Sequence, residues 1–347
     1  MEQRTRAAVA GLGIASIFLL VQLGALALVE PFEQAGLQAT EDPQNTTNSF
    51  IYVLALLVMT GFMLLAFKYD LDAVIRGIVV LTGGYIGFIV LSAIIPASLV
   101  PVAGASVLAW GAAAAIVLGL LVHPEWYVID AAGIVMGAGA AGLFGISFGV
   151  LPALVLLVAL AVYDAISVYG TEHMLTLAEG VMDLRVPVVL VVPLTLSYSF
   201  LNDGTPDTVS EEDGNEDENE NDLQDDINSD DDSSETSEDE HPDPMEREAL
   251  FIGLGDAVIP TVLIASAAFF APDSVPVVDL PGLAIPLTAA TAMVGTFLGL
   301  IVLIRMVLKG RAHAGLPLLN GGAIGGYLLG ALVSGLSTAQ AIGLSAV

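Results

Sequence analysis

The chain has 347 residues, of which 55% are hydrophobic and 14% are charged, and this composition indicates a polytopic membrane protein rather than a soluble domain. The sequence contains no cysteine, which excludes disulfides, thiol catalysis and cysteine-ligated metals, and its four histidines show no ligand spacing. We therefore expect no metal site and no cofactor. A net charge of −29 gives no reason to expect a nucleic-acid partner.

Nine apolar runs approach the ~20 residues with which a helix crosses a hydrocarbon core. They lie at roughly 7–29, 50–67, 77–95, 102–122, 131–148, 150–168, 250–270, 282–304 and 315–336. The sequence therefore predicts an all-α membrane protein with nine transmembrane helices. Two of these runs, 131–148 and 150–168, require a very short turn around Gly149.

The basic residues predict the orientation, because Lys and Arg collect in cytoplasmic loops. If the N-terminus is cytoplasmic, all nine fall in inner segments: Arg4, Arg6, Lys68, Arg76, Arg185, Arg247, Arg305, Lys309 and Arg311. We expect this arrangement in a plasma membrane. The first run also resembles a signal peptide, but it is too long for a typical apolar core of one, which favours a retained anchor.

A strongly acidic segment occupies residues 201–249. Within it, residues 203–248 carry 22 of the 38 acidic side chains and a single basic one, with almost no apolar residues. Such a segment cannot offset its ordering entropy, so we expect a disordered cytoplasmic linker between two membrane blocks. Calcium binding is the alternative, but the acids lack the spacing of an EF-hand loop. The acidity and the few lysines suggest a chain adapted to a high-salt cytoplasm.

Two acidic residues lie well inside the predicted spans. Asp164 falls about four residues before the inner end of span six, and Asp256 falls about six residues after the inner start of span seven. At the helical rise per residue, both carboxylates lie roughly 6–9 Å below the inner surface. Because spans six and seven are antiparallel neighbours, the sequence predicts that the two carboxylates face each other.

Two close carboxylates cannot both ionise at low cost, so they share a proton, and one acts as base while the other acts as acid. In aspartic proteases one aspartate takes a proton from the attacking water and the other protonates the carbonyl oxygen of the amide. Gly253 and Gly255 remove side chains just before Asp256, which would admit an extended substrate. Pro260, one turn later, would loosen the helix locally.

Other interpretations of these residues remain open. Glycines are common packing residues in membrane helices, Tyr163 fits an ordinary packed aromatic, and a lone aspartate can bond a serine on another helix. The main alternative function is an ion-coupled membrane transporter with buried carboxylates, which would usually show internal repeats and acids nearer the midplane. A prepilin-type peptidase is a second alternative, with aspartates in cytoplasmic loops and fewer spans. A purely structural membrane protein explains paired aspartates least well.

Three motifs in this order resemble those of the presenilin and signal peptide peptidase family of intramembrane aspartyl proteases. They are Tyr163-Asp164, Gly253-Leu254-Gly255-Asp256 and the segment "GLPLLNGGAIGG" that contains Pro317, Leu318 and Leu319. The resemblance implies nine helices, a long hydrophilic loop between helices six and seven, and Asp164 and Asp256 as the catalytic pair. It also implies transmembrane peptide substrates in the lipid bilayer. The family's third motif is proline-alanine-leucine, so Leu318 replaces its alanine.

The resemblance also helps to interpret residues 171–200. Residues 171–184 have the apolar spacing of a short amphipathic helix, and residues 186–200 are β-branched with two prolines, which suits a strand. In the family, the corresponding region holds an unwound substrate by strand pairing. The predicted division is a six-helix bundle at 1–170, this segment at 171–200, the acidic loop at 201–249 and three helices at 250–347. In the family, presenilin-like members have a cytoplasmic N-terminus, so the distribution of basic residues favours a presenilin-like arrangement. The motifs look as much like those of signal peptide peptidases, so the chain resembles an archaeal relative of both.

Overall fold

The structure is a computed structural model and describes residues 2–69, 71–95, 101–102, 105–170, 188–193, 249–307 and 314–344. Helices dominate the described part. They are α1 (Glu2–Gln34), α2 (Thr47–Lys68), α3 (Asp72–Ile94), α4 (Val107–Val122), α5 (Trp126–Ser147), α6 (Val150–Gly170), α7 (Leu254–Phe269), α8 (Leu287–Val307), α9 (Leu316–Val333) and α10 (Thr338–Ala341). The strands are β1 (Pro101–Val102), β2 (Ala105–Ser106), β3 (Val189–Pro193), β4 (Ala249–Gly253), β5 (Val277–Leu280) and β6 (Leu283–Pro286).

Seven of the described helices are long and apolar enough to cross a membrane, by length and composition: α1, α2, α3, α5, α6, α8 and α9. Helices α4 and α7 are apolar but have only 16 residues each. Each of the nine predicted spans overlaps one of these nine helices. Complete crossing by α4 and α7 stays a prediction.

Three predicted spans begin as strands rather than as helices. In the span at 102–122, residue 102 belongs to β1, residues 105 and 106 form β2, and the helix begins only at Val107. In the span at 250–270, residues up to Gly253 form β4 and the helix begins only at Leu254; in the span at 282–304, β6 extends to Pro286. A short apolar run has the same hydrophobicity in a strand as in a helix, so only pairing with a partner strand decides between them. The helix starts predicted at these three points were therefore wrong.

Helix α5 begins at Trp126, earlier than the predicted span, and consequently includes Asp130. The expectation that Asp164 and Asp256 are the only acids well inside spans therefore needs correction. Asp130 is buried, with 8% of its surface exposed.

Strands β3 and β4 pair antiparallel, with Val189 opposite Gly253 and Pro193 opposite Ala249. Leu254 N–H donates to the Val188 carbonyl at 2.7 Å, so the ladder extends into the first residue of α7. β3 falls within the strand predicted at 186–200. The amphipathic helix predicted at 171–184 and the acidic segment up to residue 248 lie outside the described residues.

The helices pack around α5. In its most apolar stretch 67% of the residues are buried, whereas the value for the peripheral α2 is 6%. Helices α1, α5 and α7 pack against one another. Small residues allow the closest approach: a side chain at Gly145 on α5 would meet the Ala265 backbone on α7. Buried apolar clusters join the helices before and after the acidic segment into one core.

Helices α8 and α9 form the most closely packed pair. A Cβ added at Gly295 would meet the Gly322 carbonyl, one at Gly299 would meet the Leu318 carbonyl, and one at Gly326 would meet the Thr291 carbonyl. Backbones approach this closely only where side chains are absent, as in membrane helix pairs that associate through small residues. The start of α9 is therefore held firmly against α8.

A hairpin of β5 and β6 connects α7 to α8. Its turn is Pro281-Gly282, and Gly282 has φ +83°, a left-handed conformation that glycine adopts without steric cost. The sequence interpretation missed this hairpin because β6 is apolar and was merged with the predicted span at 282–304, while β5 lies between two predicted spans and was not assigned.

Candidate active site

Asp256 lies in the first turn of α7, directly after β4. Because β4 runs into α7 without a loop, the pairing of β3 with β4 determines where this first turn begins. Asp256 as a residue is half-buried, and the exposed Gly253 lies beside its carboxylate: a Cβ there would be 3.6 Å from Asp256 Oδ2. On this side no side chain of residue 253 covers the carboxylate.

Asp164 lies near the end of α6 and is buried, with 5% of its surface exposed. Its Oδ2 accepts a hydrogen bond of 3.0 Å from the N–H of Leu316, the first residue of α9. Asp256 lies against the preceding residue, Gly315, so the two carboxylates approach consecutive residues of the chain. The structure thus brings the two aspartates to the same place, as the sequence predicts.

The start of α9 contacts both carboxylates. A Cβ added at Gly315 would lie 3.3 Å from Asp256 Oδ2 and 3.4 Å from Oδ1, so a backbone without a side chain fits against this carboxylate. The next residue, Leu316, is the donor to Asp164. A helix N-terminus carries free N–H groups and a partial positive charge, which stabilise nearby negative charge.

Further hydrogen bonds attach α9 to α6. Ala314 N–H donates to the Tyr169 hydroxyl at 3.4 Å, and Asn320 Nδ2 donates to the Leu157 carbonyl at 2.9 Å. Tyr169 and Leu157 lie on either side of Asp164 along α6. The contact between Asp164 and the α9 start is thus supported from both directions.

The structure places the other predicted site residues close to this centre, in different environments. Tyr163 is half-buried on α6, Gly255 is exposed at the start of α7, and Leu254 is buried in a cluster with Met136 and Leu190. Pro317 and Leu318 are half-buried in the first turn of α9, and Leu319 is fully buried. Leu318 and Leu319 pack in the cluster that contains Ala257.

Sequence reasoning missed the Gly315 approach, the Leu316 N–H donor and Asp130. A backbone donor leaves no signal in residue type, and Gly315 is one of 36 glycines. Asp130 had a usable signal, because it is an acid near the end of an apolar helix, as Asp164 and Asp256 are. Among the described residues, no group of three His, Cys, Asp or Glu side chains could hold a metal ion.

Comparison with known proteins identifies the family. The family profile described as "Signal-peptide peptidase, presenilin aspartyl protease" matches residues 15–336. The chain belongs to this family. No curated protein sequence matches the chain closely enough to add to this assignment.

Two solved structures agree with the assignment. Both are described as a presenilin family intramembrane aspartate protease, in space groups C222 and P2, and each is 32% identical to this protease in sequence. They cover 93% of this chain, with 99% and 97% of their own lengths covered and TM-scores of 0.59 and 0.58. The protein is therefore an intramembrane aspartyl protease, and nothing favours an ion-coupled transporter.

Proposed function

We propose that Asp164 and Asp256 are the catalytic residues of this protease. The observation that carries the proposal is their meeting at the start of α9, where Leu316 N–H bonds Asp164 and Gly315 lies against Asp256. The remaining members of the proposed site are Tyr163, Gly253, Leu254, Gly255, Pro317, Leu318 and Leu319.

In the proposed mechanism one carboxylate is ionised and the other is protonated. The ionised group takes a proton from water as the water oxygen attacks the peptide carbonyl, and the protonated group gives its proton to the carbonyl oxygen. Collapse of the tetrahedral intermediate breaks the C–N bond, and the amine leaves with the proton taken from water. At the same time one hydroxyl of the intermediate returns its proton to the second carboxylate, which restores both aspartates to their starting states. Leu316 N–H would hold Asp164 in one orientation throughout.

The substrate is a membrane-embedded peptide segment, in keeping with the family. We propose that it reaches the site unwound, because a helix hides its amides from attack. Gly253 and Gly255 are exposed beside Asp256 and leave space for an extended backbone. The β3–β4 sheet ends at the same place and supports this proposal.

We also propose a specific topology. The N-terminus is cytoplasmic, nine helices cross the plasma membrane, and the aspartates lie in the inner half of the bilayer. The positive-inside distribution of all nine Lys and Arg residues supports this arrangement. The acidic segment would then be cytoplasmic.

The test replaces each aspartate in turn and measures cleavage of a transmembrane peptide in liposomes. Asp164→Ala and Asp256→Ala should each abolish hydrolysis, and the Asn variants should do no better, because an amide cannot exchange the proton. Asp279→Ala, at an exposed position of β5, is the matched control and should keep full activity. Near-normal cleavage by either alanine variant at Asp164 or Asp256 would refute the assignment.

The pH dependence is a second readout of the same test. Because one carboxyl must be ionised and the other protonated, the rate should fall on both the acidic and the basic side of an optimum. A rate that rises to a plateau with pH would instead indicate a single essential base.

A further inference from the structure

Asp130 is a buried carboxylate that the proposed mechanism does not use. It lies in the second turn of α5, and its Oδ1 accepts a hydrogen bond of 2.8 Å from Val191 N–H, in the middle of β3. Val191 is itself almost fully buried, with 1% of its surface exposed. An acid on one helix thus bonds the backbone of a distant strand.

The strand geometry explains why Val191 needs this partner. Leu254 N–H bonds the Val188 carbonyl, so residues 188, 190 and 192 direct their backbone groups towards β4. Val191 therefore directs its N–H away from the sheet, towards α5. Pro193 has the same outward direction but no N–H, so Val191 is the central outward donor of β3.

An unpaired buried amide is costly, and a carboxylate is a strong acceptor for it. The bond from Asp130 therefore ties β3 to α5 at a fixed point. Val191 lies opposite Phe251, in the strand that leads directly into the first turn of α7. The path from Asp130 to Asp256 runs through one hydrogen bond, one strand pair and one strand-to-helix junction.

We infer that Asp130 is a positioning residue of the protease, which fixes the β3–β4 sheet on α5 and thereby the orientation of Asp256 relative to Asp164. This inference rests on the proposed catalytic role of Asp256. Within the part of the chain that the structure describes, no hydrogen bond joins Asp130 to Asp164 or Asp256. Its effect on the reaction passes through the backbone.

The test compares Asp130→Ala, which removes the acceptor, with Asp130→Asn, which keeps an acceptor oxygen. Amide hydrogen exchange of residues 188–193, kcat, KM and thermal unfolding are measured for each. We expect Asp130→Ala to exchange faster at 188–193 and to lose about tenfold in kcat, since a misplaced catalytic group acts on the chemical step. Asp130→Asn should stay within about threefold of the parent in kcat.

Ser49→Ala is the matched control. Ser49 Oγ donates to the Pro152 carbonyl at 2.6 Å, so this variant also loses a buried bond between a side chain and the backbone, but between α2 and α6. It should lower the unfolding temperature without changing kcat or the exchange of β3. If kcat fell as much in Ser49→Ala as in Asp130→Ala, the loss of stability alone would explain the effect of Asp130→Ala. That result would overturn the inference.

A further variant covers the case in which Asp130→Ala does not fold. Asp130→Glu keeps the carboxyl group but displaces the acceptor oxygen by one methylene, so it should lose more kcat than Asp130→Asn. Equal kcat values for the two variants, or unchanged exchange at 188–193 in Asp130→Ala, would overturn the inference. Amide hydrogen exchange tests this inference separately from the catalytic proposal. Asp256→Ala should leave the amides of β3 as protected as in the parent. Peptide cleavage by Asp256→Ala would refute the catalytic role of Asp256 but not the bond between Asp130 and β3.

Discussion

Gly315 is the residue whose lack of a side chain brings the α9 backbone against Asp256. A methyl group there would lie 3.3–3.4 Å from both carboxylate oxygens, so the carboxylate would have to shift by a few tenths of an ångström. We expect Gly315→Ala to lower kcat by about tenfold with little loss of stability, because small displacements of catalytic groups cost rate. Peptide cleavage in liposomes and thermal unfolding measure the two effects.

Gly321→Ala is the control for this substitution. Gly321 lies on the same helix, and a Cβ there meets no other atom within 4 Å. Its kcat should match that of the parent enzyme. If both alanine variants were equally active, the approach of Gly315 to Asp256 would have no catalytic consequence.

Leu318 is the position at which the chain departs from the family motif. Its side chain is half-buried in the first turn of α9, beside the cluster that contains Ala257. We expect Leu318→Ala to change which peptide bonds are cut, because a smaller side chain widens the space beside Asp256, with the pH profile nearly unchanged. Mass spectrometry of the products measures the distribution of cleavage sites.

Pro317→Ala should have the larger effect on that distribution, since proline limits how α9 can begin and its loss lets the helix extend. An unchanged distribution in both variants would show that residues 316–319 serve only as a helix start.

Residue type and depth were enough to predict Asp164 and Asp256 as neighbours, because acids are rare in apolar spans and helix length converts position into depth. The same reasoning could not find the Leu316 N–H or the Gly315 backbone. These groups belong to every residue of the chain, and only the tertiary approach of α9 selects two of them. Asp130 was missed for a simpler reason, the late start assigned to span five.

The close packing of α8 against α9 depends on the glycines between them. A Cβ at Gly326 would meet the Thr291 carbonyl and lie 3.1 Å from Ala292 Cα, and neither backbone atom can move without its helix. We expect Gly326→Ala to destabilise the protein by about 1–3 kcal/mol. Thermal unfolding in detergent measures the loss.

The neighbouring Gly325 is the control, because a Cβ there meets nothing within 4 Å. Gly325→Ala should unfold at the parent temperature. Equal losses in the two variants would mean that helix flexibility, rather than the contact with α8, sets the stability.

The lengths of the apolar runs were enough to predict nine helical elements, but only some of the strands next to them could be predicted. β3 was predicted from its β-branched residues and prolines. β4, β6, β2 and the end of β1 were absorbed into predicted helices, because leucine, isoleucine, valine and alanine occur in either structure. β4 is a strand because it pairs with β3. The paired residues are 56 or more positions apart along the chain, so no local sequence pattern indicates the pairing.

The large negative charge of the protein should make its stability depend on salt. The chain has a net charge of −29, and removal of residues 205–245 would leave −10. Because salt screens repulsion between exposed charges, we expect the unfolding temperature of the intact protein to rise between 0.1 M and 3 M KCl. The shortened protein should unfold at a temperature that depends much less on salt.

The shortened protein should also bind a transition-state-mimicking aspartyl inhibitor as the intact protein does, since the acidic segment lacks the apolar residues of a folded domain. A loss of inhibitor binding would indicate a structural role for the segment. An equal salt dependence of the two proteins would place the sensitive charges in the helical bundle.

The close packing of α8 and α9 has a consequence for biogenesis. The two helices adjoin in sequence and touch through their own backbones, so they can associate as soon as both have entered the bilayer, without waiting for any other helix. Both follow α6 and α7 along the chain, and α9 carries the backbone groups that meet both aspartates. With the catalytic pair that we propose, the newly made protease would therefore acquire its complete site only after α8 and α9 have docked against α6 and α7.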